Sequence, residues 1–290
     1  MTSLDHARRL LDQPPTPVMP GQLAAEELRA DQRSEHLTVL SLFSGIGGIE
    51  LGLERAGMTV IGQVEINEFC QRVLAHHWPE VPRHDDVRTA PEWWASEPRP
   101  RVDVVAGGFP CQPFSRAGFQ LGTADERWMW PAMADVVRCV RPRYVLVENV
   151  ADLVRDFDAF GWLLADLATL GFDAEWRVLS APQFGAPQAA RERVYLVAHP
   201  AGRDGDARNR VGPGRARGAS LADRGVSGLP VAARRAAARE WLEAEPRVDR
   251  LVDGLPGRVD SLVGYGNAVI PAAAEHIGRL ILEDVRAVAA

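Results

Sequence analysis

The sequence predicts an α/β fold, a doubly wound and mostly parallel sheet covered by helices. Two observations carry this expectation. Short runs of β-branched and apolar residues alternate with longer amphipathic runs, and a glycine-rich turn stands where the first strand passes into the first helix. With 290 residues, 46% hydrophobic and 25% charged, the chain is long enough to bury a sizeable core as one large domain or two smaller ones.

Residues 1–36 hold a short helix-like piece, then Pro14, Pro15, Pro17 and Pro20, then a polar stretch rich in Glu and Arg. They read as a partly disordered extension outside the core. From Leu37 the alternation begins. The run TVLSLF at 38–43 is the first strand, and the turn after it opens a helix over 48–56. A strand at 59–65 leads into a helix at 67–76, and the apolar run at 102–106 is the third strand. Helix 130–140, strand 144–148, helix 157–170, strands 176–180 and 193–198, and a closing helix at 272–288 follow in order.

All 33 basic residues are Arg. The absence of Lys sets aside a P-loop Lys, a Schiff-base Lys for pyridoxal phosphate and a kinase-type Lys–Glu pair. Between 203 and 239, nine Arg face three Asp, a net charge of +6, so the remainder carries −12 within a total of −6. This basic segment reads either as a solvated loop or as a phosphate-contacting one. The longest charge-free stretch, 261–274, has 14 residues, short of the roughly 20 that span a membrane. No secretory signal is read at the N-terminus, so no membrane and a cytoplasmic location are expected. Cys70, Cys111 and Cys139 are too few and too widely spaced for a zinc site or a disulfide framework, and no metal is expected.

Phe43-Ser44-Gly45-Ile46-Gly47-Gly48 follows a strand and opens a helix, so its glycines let a ligand approach backbone donors at the positive helix end. About twenty residues on, Glu65 ends the next strand, placed to accept hydrogen bonds from both ribose hydroxyls of a nucleoside. Glu50, just inside the helix, would repel a pyrophosphate, which favours a cofactor without one. Asp86 either meets an adenine amino group or caps a turn.

Gly107-Gly108-Phe109-Pro110-Cys111-Gln112-Pro113-Phe114-Ser115 follows the 102–106 strand, which sets Cys111 at a strand's carboxyl end, where open α/β sheets bind ligands. Glycines and prolines around a thiol make a rigid, irregular loop that a structural Cys would not need. Cys70 and Cys139, on helices, read as small buried hydrophobes. The next strand ends in Val147-Glu148-Asn149-Val150, within reach of the same pocket if the two strands are parallel neighbours. Glu148 reads as a proton donor with a raised pKa or as a helix cap.

The ordered set resembles the C5-cytosine DNA methyltransferase family. Its landmarks are the 43–48 turn, Glu65, Asp86, Pro110-Cys111-Gln112, Glu148-Asn149-Val150, Arg191 with Arg193, and Gly266-Asn267-Ala268-Val269. They cover about 38–198 and 263–290. The resemblance implies a Rossmann-like sheet, S-adenosylmethionine as donor with S-adenosylhomocysteine as product, and a cytosine flipped out of double-stranded DNA. It implies that Cys111 adds to carbon 6, that Glu148 stabilises the charge on the ring, that Arg193 and Arg191 hold O2, and that Asn149 orients the Cys111 loop. For the cofactor it implies Phe43 and Val87 against adenine, Glu65 on ribose and Asp86 on the amino group. Gly45, Ile46, Gly48, Ile66, Pro110, Trp130, Asn267 and Val269 would line the rest.

By the same resemblance 112–129 is the loop that closes over DNA, with Gln112, Ser115 and Arg127 on the substrate, although its Arg residues also read as a solvated turn. The domains implied are the 1–36 extension, a catalytic and cofactor-binding domain at 37–198, a small target-recognition region at 199–262 and a returning segment at 263–290. The chain departs from the family in that Gln188 stands one residue further from Arg191 than the usual Gln-x-Arg-x-Arg, which moves it to the opposite strand phase or into a bulge. The recognition region is also small, so specificity is short and loose or completed by a partner. A monomer is expected, with a cognate restriction endonuclease as candidate partner in a restriction-modification system, near the nucleoid of a bacterial or phage-infected cell. The rival readings are a tRNA cytosine-5 methyltransferase, a catalytically silent DNA-binding homologue, and an unrelated nucleotide-dependent enzyme with a reactive thiol.

Overall fold

The computed structural model describes residues 36–110, 128–186, 191–202 and 268–289. Among them a seven-stranded sheet has the order β3-β2-β1-β4-β5-β7-β6. Its strands are β1 (Thr38–Leu42), β2 (Thr59–Val64), β3 (Arg83–His84), β4 (Val104–Gly107), β5 (Tyr144–Val150), β6 (Phe172–Ser180) and β7 (Glu192–Pro200). The first five pair in parallel, while β7 runs antiparallel between β5 and β6. The helices are α1 (Gly48–Ala56), α2 (Glu68–His77), α3 (Ala90–Ala95), α4 (Trp130–Val140), α5 (Phe157–Thr169) and α6 (Pro271–Ala289).

Strand alternation divides the core. Leu40, Leu42, Val105, Val145 and Val147 pack under α3, α4 and α5, whereas Val39, Val104, Ala106, Tyr144 and Leu146 pack under α1 and α6. Both faces of β4 and β5 are therefore buried, which is why these strands read as continuous apolar runs rather than as alternations. The expected doubly wound, mostly parallel sheet is the observed one. The last helix returns across α1 at close range: a Cβ on Gly52 would stand 2.4 Å from the Pro271 carbonyl, and one on Gly278 would stand 2.8 Å from Ala56. The Tyr144 hydroxyl donates to Asp284 at 2.7 Å, fastening α6 to the start of β5.

Several boundaries differ from expectation. Helices 48–56 and 130–140 are observed as expected. Strand β5 runs two residues further, to Val150, because β7 continues to pair with it through Val150 and Arg193. Strand β6 starts at Phe172 rather than 176, since β7 pairs along its whole length in spite of Asp173 and Glu175. Strand β4 starts at Val104 rather than 102: the Asp103 carboxylate accepts the Thr38 amide at 3.2 Å and holds the strand entrance with a side chain. Cys70 is buried, but Cys139 is exposed near the end of α4 and reads no longer as a core residue. The helix-like piece in 1–36 and the basic 203–239 segment fall outside the described residues, apart from His36. So do Cys111, Gln112, Ser115, Arg127, Gln188 and Asn267.

Candidate functional site

The carboxyl ends of β1 and β2 build the first half of the site. Beyond Leu42 the chain turns through Phe43 at φ 54° and Gly45 at φ 56°, and Gly47, at φ 91°, starts α1. Positive φ costs a bulky residue about 1–3 kcal/mol, so Phe43 is held in a strained conformation at the mouth of the crevice. The turn is braced by Glu65, whose Oε2 accepts the Gly45 amide at 2.7 Å and whose Oε1 accepts the Asn67 amide at 2.7 Å. Asn67 in turn caps α2 by accepting the Cys70 amide at 3.1 Å.

The arrangement fits a nucleoside-bearing cofactor. A Cβ built on Gly45 would meet nothing within 4 Å, so open space lies before the turn. Each Glu65 oxygen accepts one backbone bond and so keeps acceptor capacity for a diol. Ile66, beside it beyond the end of β2, is 68% exposed, an apolar side chain left uncovered. Val269 belongs to the same wall: its carbonyl lies where a Cβ on Gly48 would come within 2.4 Å.

Asp86 behaves differently. It caps the short 3-10 turn Val87–Thr89 through the Arg88 amide, and Arg88 Nη2 reaches its Oδ2 at 2.6 Å. That contact holds its carboxyl below the usual range. The capping alternative is what the structure displays, and an adenine amino group would share the carboxylate with Arg88. Trp130 is 1% exposed and its indole N–H donates to Asp166 on α5 at 2.8 Å, so the residue packs the core behind Phe109. Val87 is buried.

The second half forms where β4, β5 and β7 meet. Gly107 pairs with Val147, so the chain leaving β4 passes beside Glu148. A Cβ on Gly108 would stand 2.9 Å from Glu148 Oε2, so any side chain there would displace the Glu148 carboxyl. Glu148 is 7% exposed and lies inside β5, which excludes the helix-cap reading. Opposite it on β7 stands Tyr195, and Arg193 Nε approaches Glu148 Oε1 to 3.2 Å. That approach is an ion pair without a formed hydrogen bond, so Oε1 keeps acceptor capacity. Burial pushes the Glu148 carboxyl up, while Arg193 and then Arg191 oppose the shift.

Arg191 donates to the Ala268 carbonyl, joining the β7 entrance to the returning C-terminal segment. Asn149, also buried, donates from Nδ2 to the Phe109 carbonyl at 3.1 Å and thereby fixes the chain two residues before Cys111. Glu148, Asn149, Arg191, Arg193, Phe109 and Pro110 thus stand together where β4 and β5 end and β7 begins. Sequence reasoning missed Gly108, Tyr195 and Trp78. The Trp78 ring fills the space that a Cβ on Gly47 would need, at 2.4 Å. A Trp ending α2 in a polar stretch, His76-His77-Trp78-Pro79-Glu80, was the available signal. No described helix is long and apolar enough to cross a membrane.

A family model described as C-5 cytosine-specific DNA methylase matches residues 37–211. Type II methyltransferase M2.BsuMI of Bacillus subtilis (strain 168) is 36% identical over 169 residues, covering 56% of this chain and 42% of that protein. Type II methyltransferase M.NgoBI of Neisseria gonorrhoeae is 36% identical over 161 residues, covering 54% and 49%. The chain spans about half the length of the curated relatives it matches. The structure of the Entamoeba histolytica methyltransferase EhMeth superposes with a TM-score of 0.57 at 15% identity, covering 86% of this chain and 99% of that one, a likeness of fold.

Proposed function

The chain belongs to the C-5 cytosine-specific DNA methylase family, and from that premise we propose that it methylates carbon 5 of a cytosine flipped out of double-stranded DNA, using S-adenosylmethionine. The observation that carries the reading is the pair of buried Glu148 and half-buried Arg193 at 3.2 Å, set beside the chain that leads from β4 to Cys111. A carboxyl group pushed towards its neutral form next to a fixed guanidinium presents a donor and a cation side by side, which suits N3 and O2 of a cytosine.

In this reading the Cys111 thiolate adds to carbon 6 while Glu148 donates its proton towards N3, leaving an enamine with a nucleophilic carbon 5. Arg193, aided by Arg191, holds O2. When bound, S-adenosylmethionine supplies an electrophilic methyl group and leaves as S-adenosylhomocysteine. Carbon 5 then loses its proton to water, the sulfur–carbon 6 bond breaks, N3 returns its proton to Glu148, and the aromatic ring, the Cys111 thiolate and the neutral acid are restored. Glu65 holds the ribose, Phe43, Ile66 and Val87 enclose the adenine with Asp86 at its amino group, and Gly45, Ile46, Gly48, Pro110 and Val269 line the remainder. We assign Gln112, Ser115 and Arg127 to DNA, Asn267 to the cofactor wall, and 199–262 to target recognition. A cognate restriction endonuclease is the partner this family context favours.

Incubation with labelled S-adenosylmethionine and duplex DNA should place label on cytosine carbon 5. Cys111→Ala should abolish transfer and leave donor binding measurable. Transfer to tRNA alone would establish the RNA reading instead, and donor binding without transfer would establish the silent homologue.

A further inference from the structure

The glycine-rich turn rests on a buried polar cluster that the proposed chemistry does not use. Glu50, in the first turn of α1, is 0% exposed rather than facing a ligand as a charge that would repel a pyrophosphate, and neither carboxyl oxygen has a formed hydrogen bond. The Ser44 hydroxyl, the Glu50 backbone amide and the Ser41 hydroxyl lie close enough to favour its charged form, but without the geometry of formed bonds, and burial outweighs them. Ser41 on β1 pairs in register with Gln63 on β2; both are fully buried, and Ser41 Oγ and Gln63 Nε2 are also without partners among the described residues. Three elements thus bring unsatisfied polar groups together directly beneath Ser44 and Gly45. An ionised carboxylate enclosed without hydrogen bonds is far more costly than a neutral acid in the same space.

The ionisable groups on the surrounding elements give it no counter-charge. Glu65, at the end of β2, opposes its ionisation. The Arg83 guanidinium on β3 is engaged by Gln63 Oε1 and by the Trp78 and Val81 carbonyls. On α1 itself Glu54 accepts the Trp78 indole N–H. On α6, Glu275 and Arg279 pair with each other, and the His276 ring lies against Phe184.

We propose that Glu50 is a positioning residue of the cofactor turn: as a neutral acid it lets β1, β2 and α1 close beneath Ser44 and Gly45, and its ionisation loosens the turn and weakens cofactor binding. Burial, the largest influence, pushes the carboxyl up to about 7, which brings the change into the physiological range. The inference rests on the cofactor reading above.

The test uses S-adenosylhomocysteine, whose zwitterion carries no net charge, so that the profile reads the turn rather than direct attraction to a charged ligand. Between about pH 6 and about pH 8.5 the affinity of the unmodified chain should fall roughly fivefold or more. Glu50→Gln, isosteric and neutral throughout, should bind like the unmodified chain at the lower pH and hold that affinity across the range. Parallel slopes in the two proteins, or a flat profile in both, would overturn the proposal. Hydrogen exchange at the amides of Gly45 to Ile49 in the unmodified chain needs neither the variant nor the ligand. Protection there should drop with pH beyond the chemical acceleration of exchange, and unchanged protection would overturn the proposal. Absence of binding at every pH with the exchange change intact would instead remove the cofactor reading and leave the loosening of the turn in place.

Discussion

Glu50 and Glu148 lie on the α1 and α6 side of the sheet, are both enclosed, and are both pushed towards the neutral form, yet their neighbours differ. Arg193 and Arg191 oppose the shift at Glu148, whereas no cation does so at Glu50. Glu148→Gln should therefore lower methyl transfer by about a hundredfold or more while cofactor affinity stays near normal, because the lost group acts on the ring alone. Gly108→Ala forces a methyl to 2.9 Å from Glu148 Oε2, and the expected outcome is a loss of transfer larger than the loss of thermal stability, measured on the same preparation. The sign of the Glu50 effect on stability follows from its folded value, about 7, lying above the ordinary 4.5. Its contribution is fully present below the unfolded value, falls as pH rises between the two, and is lost above the folded one. This amounts to about 3 kcal/mol across that window. Denaturant melts from about pH 4.5 to about pH 7.5 should show that slope, and Glu50→Gln should remove it.

Among the elements, α1 and the segment that leads into α6 form the wall proposed for the cofactor. Gly48 faces the Val269 carbonyl, and Gly52 faces Pro271 and Ala274, so the returning segment seats against the helix that starts at the glycine turn. Gly48→Ala should destabilise the fold by about 1–3 kcal/mol and lower cofactor affinity together, since the clash is with backbone that cannot swing aside. Thermal melts and titration of the cofactor check both halves. The helices most legible in the sequence were α1 and α4, bounded by a glycine turn and by Pro131 with a run of apolar residues. Helix α3 was not expected, because six residues are too short to display a period, and strand β3, of two residues, was legible only as the strand end before Asp86. The reversal of β7 was equally hidden, because its residues alternate in the same way in either direction.

For the whole molecule, local motifs predicted that the chain leaving β4 meets Glu148, because neighbouring parallel strands end on the same side, whereas Arg191 and Arg193 join them only because β7 runs antiparallel. What holds them there was not legible. Arg191 reaches Ala268 across 77 positions and Tyr144 reaches Asp284 across 140, and no window of sequence contains such contacts. The all-Arg composition keeps its meaning at this scale: the two cations that act on the Glu148 carboxyl, Arg193 and Arg191, are both guanidinium groups, with the planar donor fork that a Lys would not supply. The proposed covalent attack by Cys111 on a flipped cytosine is open to trapping with 5-fluorocytosine duplex DNA, because fluorine cannot leave carbon 5 as a proton. With S-adenosylmethionine present, a stable protein–DNA adduct should form and its peptide should map to Cys111. Normal turnover on ordinary duplex DNA, with no adduct on the fluorinated one, would contradict the account.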